Sequence, residues 1–155
     1  MDGQKSNIVE ELVGRWVKFR AWGHYNVRAA HRSTIELTKE ESLTPRGDCI
    51  IGVKSQLAAK DLPQWFKNSA RQDNSIIIAV FCSNGICDGV VGRGSPNLIF
   101  EDETRMILRR STYIEPATIM IKASKAAIDL RRDLVNLLSD SKMLDVFMTV
   151  INLSH

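Results

Sequence analysis

Residues 54–62 read KSQLAAKDL, and residues 122–130 read KASKAAIDL. The two stretches share a lysine, a pair of alanines, an aspartate and a leucine at a constant separation of 68 residues. Each stretch follows a β-branched run and leads into a segment whose apolar residues recur at helical spacing. This correspondence indicates that the chain consists of two similar halves, which decides how the other motifs are interpreted.

The segments around these stretches also correspond in order. Strand patterns occur in RWVKFRAW, STIELTKE, DCIIGVK, SIIIAVFC, RMILRRS, TIMIKA and DVFMTVINL. Helices are predicted in SQLAAKDLPQWFKNSA, with a break at Pro63, and in SKAAIDLRRDLVNLLS, with Ser55 and Ser124 as caps. Further upstream, GHYNV at 23–27 corresponds to GSPNL at 94–98. Each half therefore reads strand, strand, strand, helix, strand.

The predicted fold class is α+β. Two pseudo-symmetric βββαβ repeats, at about residues 13–82 and 83–153, are expected to form one curved, mostly antiparallel sheet or barrel with two packed helices. Sequential hairpins dominate the predicted pairing, and the strands that flank each helix are expected to pair in parallel. With 155 residues, 44% of them hydrophobic, the chain is predicted to be a single domain, 1–155, whose residues 1–7 are flexible.

Composition narrows the range of functions. A formal net charge of +3 gives only a weak attraction for anionic partners. No apolar run is long enough to span a bilayer, and the opening MDGQKSNIVEELVGRW lacks a signal-peptide core. The three cysteines, at positions 49, 82 and 87, do not make a disulfide framework. We therefore predict a cytoplasmic protein with no membrane partner.

One long stretch resembles a known family. Residues 23–63, GHYNVRAAHRSTIELTKEESLTPRGDCIIGVKSQLAAKDLP, are similar to the archaeal family described as domain of unknown function 371. The shared pattern is G-H-P-N-V-x-A-x-H-x-T-T, then L-T-x-R-G-D-C-I-I-G-V, then A-A-x-D-L-P, and the similarity continues to the final strand. Tyr25 stands where the pattern has proline, and Ser33 stands where it has threonine. The resemblance implies an archaeal, single-domain, cytoplasmic protein and implies no particular activity.

The two halves serve as controls for each other, because reactive residues present in only one half are candidates for function. The first half contains two histidines, an aspartate, a cysteine and a threonine that the second half does not match as a set. The corresponding pairs are His24 and Ser95, His31 and Asp102, Thr34 and Arg105, Asp48 and Pro116, and Cys49 and Ala117. We therefore predict a small-molecule pocket, for binding or catalysis, in the first half.

An imidazole with a carboxylate suits proton transfer near neutral pH, and Arg46 suits an anionic group on the ligand. The two histidines share one site only if the chain bends near Tyr25. Cys49 has the strand parity of the core and is interpreted as a small buried residue rather than a nucleophile. The sequence assigns no metal, cofactor or reaction. The predicted binding residues are His24, Asn26, His31, Thr34, Arg46 and Asp48.

A strand face that carries basic and aromatic side chains suggests an alternative function, the binding of RNA. Trp16, Lys18, Arg20 and Trp22 alternate along RWVKFRAW and therefore share one face. Such a face suits single-stranded RNA, which it would bind by stacking and by charge. The competing interpretation is a solvated face whose tryptophans lie under the N-terminal segment or at a dimer contact. A homodimer formed through an apolar sheet edge is the third hypothesis.

The stretch CSNGIC, residues 82–87, predicts a hairpin with a two-residue type I′ turn at Asn84 and Gly85. This turn places Cys82 directly opposite Cys87, which is close enough for a disulfide. A reduced pair, the usual state in cytoplasm, and a zinc half-site are the alternatives.

Overall fold

The structure, a computed structural model, describes residues 15–152, which form eight strands and two α-helices. Residues 1–7, predicted to be flexible, lie outside this range. The helices are α1 (Gln64–Ala70) and α2 (Arg132–Ser139), and a 3₁₀ turn precedes each, at Ala59–Asp61 and Ala127–Asp129. The strands are β1 (Val17–Trp22), β2 (Thr34–Thr38), β3 (Ile50–Gly52), β4 (Ile76–Ser83), β5 (Ile86–Arg93), β6 (Arg105–Arg109), β7 (Thr118–Met120) and β8 (Met143–Ile151).

The strands form two sheets of four strands each. Sheet A has the order β1-β8-β4-β5 and is antiparallel throughout. Sheet B has the order β3-β2-β6-β7, with an antiparallel pair in the centre and a parallel pair on either side. The fold is α+β and mostly antiparallel, as predicted, but it is not one curved sheet or a barrel. Only the isolated bridges Trp22–Val53 and Arg93–Ile121 link the sheet edges within the described residues.

The predicted strand pairing is wrong in two respects. The hairpin of β4 and β5 joins consecutive strands, but the central pairs β4–β8 and β2–β6 join distant parts of the chain. The strands that flank each helix do not pair with each other, because the helical connection crosses from sheet B to sheet A. The parallel pairs are instead β2–β3 and β6–β7.

Strand alternation supplies most of the core. Val17, Phe19 and Ala21 of β1 are buried, whereas Lys18 and Arg20 between them are exposed. β4 contributes residues 77, 79 and 81 to the same core in the same way. Phe66 of α1 and both Leu134 and Leu138 of α2 are fully buried in this cluster. One apolar core therefore joins strands of both sheets to both helices.

An aspartate side chain closes the 3₁₀ turn that precedes each α-helix, so each predicted helix is in fact a 3₁₀ turn followed by a separate α-helix. The Asp61 carboxylate accepts the N–H of Ala58 at 2.9 Å, and Asp129 accepts the N–H of Ala126 at the same distance. These bonds close the 3₁₀ turns, and the following leucines have extended ψ angles of 142° and 148°. The predicted break at Pro63 is confirmed, since α1 begins directly after it.

The predicted serine caps are wrong. The Ser55 hydroxyl donates to the Leu57 carbonyl at 2.7 Å, and the Ser124 hydroxyl accepts the N–H of Val91 at 3.0 Å. Both serines precede the 3₁₀ turn rather than the α-helix, so neither reaches the free N–H groups of a helix start.

The hairpin prediction is confirmed. Asn84 and Gly85 have φ angles of 48° and 81°, the two positive values that a type I′ turn requires. Cys82 lies directly opposite Cys87, and the two are joined by a disulfide.

We call residues 17–83 the first half and residues 86–151 the second half. Both contain the same order of elements, three strands, a 3₁₀ turn, a helix and a strand. Lys54 and Lys122 occupy the left-handed region, with φ angles of 53° and 52°, and so do Ala29 and Phe100, at 48° and 55°. Positions that correspond in sequence therefore also share unusual backbone conformations.

Candidate functional site

A polar patch covers the side of sheet B opposite the core. On β2, Ile35 and Leu37 belong to the core, so alternation turns Thr34, Glu36 and Thr38 to the opposite side. Glu36 is nevertheless only 8% exposed. We define the polar patch by nine side chains, namely those of His31, Thr34, Glu36, Asp48, Cys49, Asp102, Arg105, Arg109 and Glu115.

Ion pairs around Arg105 organise this patch, and the pair with Glu36 joins the two halves. The Arg105 guanidinium lies 3.8 Å from Glu36, 3.2 Å from Asp102 and 3.4 Å from Glu115. Arg109 lies 3.4 Å from Glu115 and donates to the Thr118 hydroxyl at 3.0 Å. Three carboxylates thus surround one guanidinium, and the positive charge of Arg105 is already neutralised within the protein.

The surroundings shift two of these carboxyl groups in opposite directions. Burial raises the pKa of Glu36, and the positive charge of Arg105 offsets only part of that effect. Burial also acts to raise the pKa of Asp102, but the N–H groups of Thr104 and Arg105 and the charge of Arg105 outweigh it. They hold the pKa of Asp102 below its usual value.

His31 lies at the first-half side of the patch, with Thr34 and Asp48. Its Nδ1 accepts the N–H groups of Ser33 and Thr34, both at 3.1 Å, and lies 3.0 Å from the Thr34 hydroxyl. The backbone N–H of His31 donates to the Asp48 carbonyl at 3.2 Å. Because Nδ1 accepts, the neutral ring carries its proton on Nε2 and offers a donor there.

Cys49 belongs to the patch rather than to the core. The thiol is half-buried and free, and it forms a hydrogen bond with the Thr34 side chain. Burial, followed by the charge of Glu36, raises the pKa of Cys49 to about 11, so the thiol is protonated at neutral pH. The prediction of a core position is wrong because Cys49 lies in the turn before β3 begins at Ile50, where strand alternation does not apply.

His24 and Asn26 form a separate turn. His24 Nδ1 accepts the N–H of Asn26 at 3.0 Å, and its ring stacks on Tyr25 with centroids 4.3 Å apart. The Asn26 side-chain amide donates to the Leu43 carbonyl at 2.6 Å. The backbone N–H of His24 donates to the carbonyl of Leu138 at 2.9 Å, near the end of α2.

The structure does not bring the two histidines into one site. The carbonyl of His31 accepts the N–H of Ile128, which precedes α2, whereas His24 contacts Leu138 at the other end of that helix. α2 is eight residues long and spans about 12 Å. Arg46 is exposed in the Thr44–Gly47 turn and forms no hydrogen bond or ion pair with any residue from 15 to 152.

Corresponding side chains in the second half form the same turn contacts. The Ser95 hydroxyl accepts the N–H of Asn97 at 3.1 Å, as His24 does for Asn26. The Asp102 carboxylate accepts the N–H groups of Thr104 and Arg105 at 2.8 and 2.7 Å, as His31 does for its own turn. Nδ1 of each histidine therefore has a structural role, because it accepts backbone N–H groups in a turn that needs a hydrogen-bond acceptor.

Sequence reasoning missed Glu36, Arg105 and Glu115. The signal for Glu36 was present, since TIELT places a lone carboxylate inside a strand that is otherwise apolar or hydroxylated. Arg105 and Glu115 carried no such signal, because they lie in the second half and reach the patch only through the long-range β2–β6 pairing. Within residues 15–152, no group of three His, Cys, Asp or Glu side chains is placed to hold a metal ion.

The outer side of sheet A carries the predicted basic and aromatic face. Trp16 is 39% exposed, Lys18 and Arg20 are exposed, and Trp22 is half-buried against the core. Arg20 is paired with Asp145 of β8 at 3.1 Å. A cavity of about 330 Å³ is lined by Trp16, Lys18, Val80, Cys82 and Phe147. A second cavity, of about 470 Å³, also borders Lys18 and Phe147 and extends past Arg20 to Gln56.

Comparison with known proteins gives the family. A family model described as a domain of unknown function, DUF371, matches residues 19–151. The match includes both halves, and the chain belongs to this family, as its motifs indicated. An uncharacterized protein of Methanocaldococcus jannaschii is 40% identical to this chain over 132 residues, which are 85% of this chain and 96% of that protein. Among the described helices, none has the length and apolar character needed to cross a bilayer.

Proposed function

We propose that the protein binds a small organic anion at the first-half side of the polar patch, next to His31, Thr34 and Asp48. The observation that carries this proposal is the burial of Glu36 in a network of charged side chains on a sheet face. Buried ionised groups contribute little net stability, and titratable groups with perturbed pKa values are concentrated at functional sites.

The contacts favour binding over base catalysis. Nδ1 of His31 is occupied by two backbone N–H groups, so the ring offers Nε2–H as a donor rather than a lone pair as a base. The protonated thiol of Cys49 is a poor nucleophile. Arg105 already faces three carboxylates, so we assign the anionic group of the ligand to Arg46, which is exposed and has no ion-pair partner among residues 15–152. We propose that His24 and Asn26 hold the turn at residues 24–26 in place and do not contact the ligand.

Isothermal titration calorimetry with succinate and citrate tests this proposal. We expect millimolar or tighter binding that weakens about tenfold in Arg46→Gln and in His31→Asn. Asparagine keeps an acceptor for the turn without the imidazole donor, and Lys54→Gln is the matched control for the loss of a distant positive charge. The proposal fails if neither anion binds, or if Lys54→Gln weakens binding as much as Arg46→Gln.

The outer face of sheet A supports a second candidate function, binding of single-stranded RNA. The supporting observation is the cavity of about 330 Å³ whose lining includes one cation, Lys18, and two aromatic side chains, Trp16 and Phe147. Fluorescence anisotropy with a labelled oligouridylate should show affinity that falls steeply with salt and is lost in Trp16→Ala with Lys18→Gln. Salt-independent binding, or no binding at low salt, would exclude it. A dimer detected by light scattering would favour the third hypothesis, a homodimer formed through an apolar sheet edge.

We also propose that the chain is one cytoplasmic domain that arose by internal duplication of residues 13–82 and 83–153. The common order of elements, the matching backbone conformations and the equivalent turn contacts support this proposal. A single domain should unfold in urea in one transition that is the same by circular dichroism and by tryptophan fluorescence. Two separate transitions would contradict it.

A further inference from the structure

A polar cavity lies at the edge where β5 approaches β7, lined mostly by residues of the second half and, on one side, by Asp73 and Asn74 of the first half. The Arg93 N–H donates to the Ile121 carbonyl at 2.7 Å, and the return bond is 2.9 Å, so the two backbones are fixed side by side. Next to this bridge is a cavity of about 600 Å³, a size that suits a small metabolite. Its lining includes Asp73, Arg93, Ser95, Asn97, Ile114 and Lys122.

The two cations of this cavity lack ion-pair partners. Lys122 is exposed and forms no side-chain hydrogen bond or ion pair within residues 15–152. The Arg93 guanidinium makes one long contact, 3.4 Å to the Asn74 carbonyl, and contacts no carboxylate of the described chain. This contrasts with Arg105, whose charge three carboxylates neutralise. The cavity therefore offers two positive charges to an incoming anion, and Asp73 is the one carboxylate in its lining.

The fold does not require this arrangement. At the corresponding position of the first half, Trp22 replaces Arg93 and packs against the core. The Asn26 amide bonds to the Leu43 carbonyl, whereas Asn97 is exposed and is bonded through its backbone N–H to Ser95. The same strands and loops are thus compatible with an apolar side chain in place of Arg93, whereas Lys122 corresponds to Lys54 of the first half. The charge of Arg93 is therefore what distinguishes the second half.

We propose that this cavity binds a sugar phosphate. Arg93 and Lys122 would hold the phosphate, the guanidinium through parallel N–H groups and the ammonium as a compact charge. Ser95, Asn97 and Asp73 supply the hydroxyl, amide and carboxylate groups that hydrogen-bond sugar hydroxyls. Asp73 also disfavours a second anionic group on the ligand. This inference does not rest on the proposed function, because it uses none of the residues of the polar patch and does not use Arg46.

Calorimetric titration with ribose 5-phosphate, inorganic phosphate and ribose tests the proposal. We expect ribose 5-phosphate to bind most tightly, phosphate to bind more weakly and ribose to give no measurable heat. Arg93→Gln and Lys122→Gln should each weaken binding of ribose 5-phosphate at least about tenfold. Lys54→Gln, the corresponding change in the first half, should leave the affinity within about twofold. Arg93→Trp, which copies the first half, should abolish binding.

Thermal melting of each variant confirms that it is folded, so that a loss of binding can be assigned to the site. The proposal is overturned if the wild-type protein does not bind ribose 5-phosphate at millimolar concentration, if ribose binds equally well, or if Lys54→Gln has the effect of Lys122→Gln. Glu36→Gln and His31→Asn should leave this affinity unchanged. A loss of affinity in those variants would show that ribose 5-phosphate binds at the polar patch and would overturn the proposed cavity site.

Discussion

Each half contains two equivalent turns, at Gly23 and at His31 in the first half and at Gly94 and at Asp102 in the second. Equivalent turns are held by the same contacts to backbone N–H groups but through different side chains. In the first half, imidazole nitrogens accept the backbone N–H groups, and in the second a hydroxyl and a carboxylate do so. The comparison shows that the fold needs an acceptor at these positions and does not need a histidine. The Nε2–H group of His31, which the turn does not use, is therefore available for function.

The two halves meet in the polar patch. Glu36 comes from the first half, and Arg105, Asp102 and Glu115 come from the second. Neither half contains the network alone, and the β2–β6 pairing assembles it. The cavity at Arg93 and Lys122 has no equivalent in the first half at the position of Arg93, because Trp22 occupies the corresponding place there and packs against the core.

Removal of Arg105 should have the largest effect. Arg105→Ala leaves Glu36, Asp102 and Glu115 close together without their shared counter-charge, and the expected loss is about 3 kcal/mol in the free energy of unfolding. Urea denaturation at pH 7 measures it. Arg110→Ala, which breaks a more exposed pair with Asp129, is the control and should cost less than about 1 kcal/mol. Equal losses in the two variants would contradict a special role for the patch.

Loss of the acceptor in the His31 turn should have the next largest effect. His31→Ala leaves the N–H groups of Ser33 and Thr34 without their partner, and we expect a loss of about 1 kcal/mol. His31→Asn should recover most of it, because the asparagine oxygen occupies the place that the Asp102 oxygen takes in the second half. If alanine and asparagine destabilise the protein equally, the turn contact is not what the ring contributes.

The pKa of Glu36 predicts a pH-dependent effect. Because this pKa is raised in the folded protein, the folded state retains a proton that the unfolded state releases as the pH rises from the usual glutamate pKa. Wild-type stability therefore falls across that window, and Glu36→Gln lacks this loss. The stability of Glu36→Gln relative to wild type should be greatest at pH 7 and should decline on acidification. A difference that grows toward low pH would show that the sign is wrong.

Cys49 should give the smallest effect. With a pKa of about 11, only about one thiol in ten thousand is ionised at pH 7, so alkylation by iodoacetamide should be slow and should accelerate up to about pH 11. Cys49→Ala, which copies Ala117, should change the unfolding free energy by less than about 1 kcal/mol. Rapid alkylation at pH 7 would indicate an activated thiol.

The local structure was largely predictable from the sequence. The strand runs, the break at Pro63 and the type I′ hairpin each depend on local backbone preferences or on periodicity. The pairing of β4 with β8 and of β2 with β6 was not predictable, because contacts between distant segments leave no periodic signal in either one. The same limit hid Arg105 and Glu115 from the site prediction, whereas His31, Thr34 and Asp48 were found through their contrast with the second half.

If the histidine turns require acceptors rather than imidazoles, the rings are available for function. The unfolding free energy of the double variant His24→Ser, His31→Asn, measured beside wild type and the double alanine variant, decides this. We expect the serine–asparagine variant to stay within about 0.5 kcal/mol of wild type and the alanine variant to lose about 2 kcal/mol. Equal losses in both variants would show that the turns depend on the imidazole rings themselves.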